Sequence, residues 1–156
     1  MNHINFELVK RSGYLLYQVQ HSLDHALGVA LAPFDLSPLQ FNGLANVNNE
    51  PGISAAEIAR RNSVTPQSVQ TALKPLIERG IIERRPHPVH GRVLGIYPLA
   101  AADQLVVDAG NAIDTVEKNL VAGLTDTEAA QFHDLLLAML QHLNPQALDR
   151  SSLRPR

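Results

Sequence analysis

The stretch RRNSVTPQSVQTALKPLIERG, Arg60 to Gly80, decides how the rest of the chain is read. Val69, Ala72, Leu73 and Leu76 fall on one face of a helix, which turns Gln67, Gln70, Thr71 and Lys74 to the opposite face. Thr65 supplies a capping hydroxyl, Pro66 fills the first helical position where no N–H is needed, and Gly80 is a natural stop. The helix so bounded covers roughly 66 to 79, and a shorter one over roughly 54 to 61 precedes it across Asn62-Ser63-Val64. Two short helices on a turn of that length form a helix-turn-helix unit. Asn62 is the residue expected to supply tolerance of left-handed geometry in the turn. Pro75 has no N–H for the Thr71 carbonyl and costs roughly 3 kcal/mol in a regular helix interior, so a kink is expected there. Two readings of it stay open: the bend seats Leu76 and Ile77 on the core while the first two turns project outward, or the proline is merely tolerated.

Outward from this unit, helix starts are legible as capping boxes, in which a Ser or Thr and a Glu or Gln three residues later satisfy each other's backbone N–H groups. Ser37 with Gln40, Ser54 with Glu57 and Thr125 with Glu128 fit the pattern. Toward the N-terminus a long helix over roughly 4 to 31 is expected from the stripe Leu8, Leu15, Val19, Leu23, Ala26 and Ala30, ending before Pro33. Beyond Gly80, IIERR and RVLGIY predict two short strands, over roughly 81 to 85 and 92 to 97, as a hairpin around the turn-rich PHPVHG. Helices over roughly 100 to 121 and 126 to 143 follow, the second with Phe132, Leu135, Leu136, Met139 and Leu143. The segment from Pro145 has no periodicity and is expected to be mobile.

The 156 residues suit one domain, and 45% hydrophobic with 18% charged residues is ordinary for a soluble globular protein. The start MNHINFELVK has no signal-peptide pattern and no apolar run is long enough to span a membrane, so a cytoplasmic location and no membrane partner are expected. Cysteine is absent, which excludes disulfides, thiolate catalysis and cysteine-based zinc sites. The net charge of −2 conceals two unlike regions. Residues 60 to 92 hold seven basic residues against Glu78 and Glu83, a net of +5; the remainder holds six basic and thirteen acidic residues, a net of −7. A basic patch on an acidic body suits a protein that presents one face to a polyanion.

The outward face of the second helix fits a DNA groove. Gln67 and Gln70 can each bond an adenine edge in two places, the hydroxyls of Thr65, Ser68 and Thr71 adapt to several bases, and Lys74 neutralises phosphate. The helix N-terminus adds N–H groups for a backbone phosphate. With this face on view, LSPLQF, EIARR, VTPQSV, ERGIIERR and Arg92 late in the hairpin resemble the MarR family of winged-helix regulators, and the resemblance covers the chain to about residue 143. It implies a mainly α winged helix-turn-helix fold with a β-hairpin wing and terminal helices that form a dimerisation region. Within a single domain of residues 1–156 it places the winged-helix lobe over 36–99, dimerisation helices over 1–33 and 100–145, and a mobile tail over 146–156. It further implies a homodimer that binds double-stranded DNA at a pseudo-palindromic operator and represses until a small ligand binds, with Arg84 and Arg92 joining the DNA contacts. The wing departs from the common Asp-Pro-x-Asp-x-Arg pattern, since His87 and His90 stand where the acids would be, and Thr71 stands where an arginine is frequent.

A second stripe on the first helix, Tyr14, Gln18, His21 and His25, shares one face. One reading makes it the lining of a pocket for a small aromatic or anionic effector; the other makes it a half-exposed face or part of a dimer seam. His21 and His25 with Asp24 also admit a metal-responsive regulator, with His133 or His142 as further ligands, although no resident metal or cofactor is expected. Enzyme motifs such as G-x-S-x-G, a phosphate-cradling glycine loop and H-E-x-x-H are absent. A winged helix used only for protein interaction remains the other alternative, and the +5 segment weighs against it.

Overall fold

The computed structural model describes residues 7–88 and 94–145. Six α-helices are fully described: α1 Ser12–Leu31, α2 Pro38–Asn49, α3 Ala55–Arg61, α4 Pro66–Glu78, α5 Ala102–Leu120 and α6 Asp126–Leu143. Strands β1 Ile82–Pro86 and β2 Leu94–Pro98 separate α4 from α5 and pair antiparallel, with Arg84 opposite Ile96 and Glu83 opposite Tyr97. A bridge between Ile53 and Ile96 adds the approach to α3 to this hairpin. The expected beginning of the first helix at residues 4–6, wing residues Val89 to Val93 with Arg92, and the tail 146–156 lie outside the described residues.

Local chemistry explains most boundaries. The full reciprocal box closes at Ser37–Gln40 and at Thr125–Glu128. At Ser54 only half of it forms: the Ser54 side chain accepts from the Glu57 N–H, while the Glu57 carboxylate is taken by Arg60 at 2.6 Å and Arg61 at 2.9 Å. Charge-assisted bonds outcompete a neutral backbone donor for that carboxylate. The long first helix is also interrupted, since Arg11 is extended at φ −96°, ψ 118° and α1 begins at Ser12. Ser12 and Gly13 favour the helix interior poorly, and there the chain turns rather than continuing the helix. Gly80, at φ 67°, ends α4, with the Ile81 N–H donating to the Leu76 carbonyl.

The core gathers Leu31, Leu44, Val47, Ile58, Val69, Leu73, Leu76, Ile82 and Ile96 between α2, α3, α4 and the hairpin. Fully burying an aliphatic side chain of this size stabilises by about 1.5–3 kcal/mol, so these residues hold α4 firmly by its inner face. Helix α1 lies against α5. Helix α6 buries no residue, and its Leu135, Met139 and Leu143 are exposed. Of its expected stripe only Phe132 and Leu136 are half-buried. No described helix is long and apolar enough to cross a membrane.

Candidate nucleic-acid interface

Helix α4 presents the predicted face because its other side is anchored. Val69, Leu73 and Leu76 are buried, while Gln67, Ser68, Gln70, Thr71 and Lys74 are exposed. Between α4 and β1 lies an open groove of about 920 Å³. Thr65, Gln67, Gln70, Thr71 and Lys74 line it from the helix, and Arg84 from the strand. Ser68 is not among the lining residues: its N–H donates to the Thr65 hydroxyl at 3.0 Å, and the two hydroxyl oxygens are 2.8 Å apart. The Thr65 oxygen is thus committed to the helix cap. Arg92 lies outside the described residues.

Pro75 is exposed, and α4 remains helical past it to Glu78. Leu76 is buried beyond the proline, and Ile77 both packs on the core and reaches the groove. Pro66, Ile77 and Glu78 also line the groove, although the helical periodicity does not single them out. For Glu78 a signal existed, since it stands four residues after Lys74 and the two form an ion pair at 3.7 Å.

The basic segment is less free than its +5 charge. Arg61 donates to Glu50 at 2.6 Å, to Glu57 and to Asn46, and its side chain is 15% exposed, so its charge is spent inside the lobe. Arg60 pairs with Glu57. Arg79 donates to the carbonyls of Phe34 and Asp35, tying the end of α4 to the approach to α2. Glu50, Glu57 and Asp35 all lie outside the 60–92 window, which is why counting charge along the chain overstated the patch. Arg84 makes no ion pair among the described residues and is the positive charge left on the strand wall of the groove.

The turn corrects one expectation. Asn62 sits at φ −94°, and Ser63 takes the left-handed conformation at φ 55°. Asn62 instead folds its side-chain amide back onto the Ile58 carbonyl at 2.8 Å.

The same arrangement of lobe and helices occurs in known proteins. A family model described as MarR family matches residues 34–93. The HTH-type transcriptional repressor Rv2887 of Mycobacterium tuberculosis is 33% identical over 124 residues, covering 80% of this chain and 89% of the repressor. The chain belongs to the MarR family. Solved structures of Rv2887 with DNA and with salicylic acid superpose at TM-scores of 0.70 and 0.68, with 30% and 32% identity. Each covers 83% of this chain, and 97% and 96% of the respective Rv2887 chain. As a MarR family protein the chain is a DNA-binding transcriptional regulator and not an enzyme.

In this MarR family protein all four residues of the second stripe lie on α1. Tyr14 is half-buried, and Gln18, His21 and His25 are exposed. His21 stacks on Tyr17 with ring centroids 6.3 Å apart. Gln18 alone of the four lines an apolar groove of about 430 Å³ between α1 and α5, with Val19, Leu23, Val116 and Leu120. Among the described residues no group of three or more His, Asp or Glu side chains is placed to hold a metal ion.

Proposed function

We propose that this regulator is a ligand-responsive repressor that binds a pseudo-palindromic operator as a homodimer, with the first two turns of α4 in the major groove. The observation that carries the reading is the groove between α4 and β1, where two glutamines, two hydroxyl residues, Lys74 and Arg84 face one opening. Gln67 and Gln70 read base edges, Thr71 adapts to the bases beside them, and Lys74 and Arg84 anchor phosphate. Ser68 and Thr65 act first as the helix cap, which directs the α4 N-terminus toward a phosphate. Arg92 is assigned to the wing's contact with the duplex by the resemblance alone.

Support for a homodimer comes from apolar surface that one chain leaves uncovered on α1 and α6, including Tyr17, Val29, Leu135 and Leu143, each more than 60% exposed. Support for a small aromatic or anionic effector comes from the salicylic acid complex of Rv2887. Tyr14, Gln18, His21 and His25 are proposed to meet that effector once a second copy encloses their face.

The test separates base reading from phosphate anchoring. With a duplex selected from a random pool by the wild-type protein, Gln67→Ala is expected to lose about 1–3 kcal/mol of discrimination against scrambled DNA, with little change in salt dependence. Arg84→Ala is expected to weaken both duplexes and reduce the log–log salt slope by about 1 per half-site. Anisotropy titrations over a salt series measure all of these. Wild-type binding by both variants would refute the docking geometry.

A further inference from the structure

Arg84 and Arg85 are adjacent on β1, so their side chains leave opposite faces of the hairpin. Arg84 reaches the groove beside α4. The Arg85 guanidinium lies over the ring of Tyr97, 3.9 Å from its centroid, with one nitrogen 3.6 Å from the Glu83 carboxylate. Tyr97 is opposite Glu83 in the hairpin register, which makes Arg85 its diagonal neighbour, within reach of a long side chain.

The ring itself is held from behind. A Cβ at Gly52 would lie 3.0 Å from the Tyr97 hydroxyl oxygen, and one at Gly95 would lie 2.9 Å from a ring carbon and 2.9 Å from the Gly52 carbonyl oxygen. Two glycines therefore leave the space that the ring fills. Tyr97 is 7% exposed and its hydroxyl is buried with no hydrogen-bond partner among the described residues, while the ring packs on the two glycines and under Arg85.

We propose that Arg85 is a positioning residue for DNA binding: its guanidinium closes over the Tyr97 ring and so holds β1 at the tilt that sends Arg84 into the groove. The exposed guanidinium of Arg85 is engaged by the Tyr97 ring and by Glu83, and that of Arg84 is presented to phosphate. The assignment rests on the α4–β1 groove being the DNA interface.

Arg84→Met, Arg85→Met and the double variant are compared by anisotropy over a salt series on a duplex selected by the wild-type protein. Arg85→Met is expected to weaken binding roughly two- to five-fold per half-site, the range of an exposed cation–π contact, while leaving the salt slope unchanged. Arg84→Met is expected to reduce the slope by about 1 per half-site. In the Arg84→Met background the Arg85 substitution should add no further loss. Tyr97→Leu should reproduce the Arg85→Met behaviour and Tyr97→Phe should bind as wild type; if Tyr97→Leu does not fold, the arginine cycle decides alone. A reduced salt slope for Arg85→Met that adds to that of Arg84→Met would make Arg85 a direct phosphate contact and overturn the proposal. Wild-type binding by Arg85→Met would overturn it as well. Wild-type affinity and slope for Arg84→Met would instead overturn the interface reading, and the positioning role with it.

Discussion

At the scale of single residues, the turn of the helix-turn-helix distributes its work between neighbours. Ser63 holds φ 55°, which costs a residue with a Cβ about 1–2 kcal/mol. Asn62, at φ −94°, uses its amide to satisfy the Ile58 carbonyl. Glycine should therefore act differently at the two positions. Ser63→Gly relieves the left-handed penalty, but it adds about 0.5–1 kcal/mol of chain entropy and removes the hydroxyl that accepts from Asn144, a bond worth about 0.5–1.5 kcal/mol, so stability should stay nearly level. Asn62→Gly gains no conformational relief and loses a hydrogen bond, for a loss of about 1 kcal/mol or more. Urea unfolding of the two variants measures this; the reverse order would mean that the left-handed residue is misplaced. The sequence showed that this turn needs such a residue but not which one, because Asn and Ser differ little in propensity and the choice follows from where the Asn62 side chain finds an acceptor.

At the scale of elements, three capping boxes written in the same letters behave in two ways. At Thr125 the N–H and the hydroxyl both donate to the Glu128 carboxylate at 2.8 Å. The backbone bond first, then the hydroxyl, hold that carboxyl below the usual range. Because the folded value is lowered, the contribution is present above the ordinary carboxylate pKa and is lost as pH falls through the lowered folded value. Thermal unfolding followed from neutral into acid should fall more steeply for wild type than for Glu128→Gln, whose amide does not titrate in that range. Parallel profiles would show that the box is not coupled to unfolding. Ser54 lacks this return bond because Arg60 and Arg61 occupy Glu57. Arg60 and Arg61 stand three and four residues after Glu57, so the competition was itself legible in the sequence. The break before α1 was less so, since apolar periodicity continues across Arg11, Ser12 and Gly13.

At the scale of the whole molecule, α6 is a helix with its apolar stripe largely uncovered, and a polar tie joins it to the lobe: Asn144, at its C-terminal end, donates to the Ser63 hydroxyl at 2.6 Å. A second copy covering α1 and α6 is expected to yield a dimer by light scattering at micromolar concentration, with recognition helices spaced near one helical turn, about 34–36 Å. A monomer there would contradict the assembly. Effector response belongs to the same scale, because the face carrying Tyr14 is open in one chain. On the proposed effector reading, with salicylate as the probe, wild-type DNA binding is expected to respond and Tyr14→Ala to abolish that response while leaving affinity for the selected duplex within a few-fold. An unchanged salicylate response would return the stripe to the dimer seam.

By itself the sequence determined the helices from α2 onward, the caps at Ser37, Ser54, Thr65 and Thr125, the hairpin and the outward face of α4, since these rest on hydrogen bonds and periodicities closed within about four residues. Tertiary structure alone decided how many of the charges remain available. Arg61 meets Glu50 across 11 residues, Arg79 meets the Asp35 carbonyl across 44, and Asn144 meets Ser63 across 81. No local pattern ranks such pairings, because each depends on two elements already packed on the same core. The same packing set the left-handed residue at Ser63, placed Arg84 in the groove and Arg85 on Tyr97, and left the apolar faces of α1 and α6 exposed in the single chain.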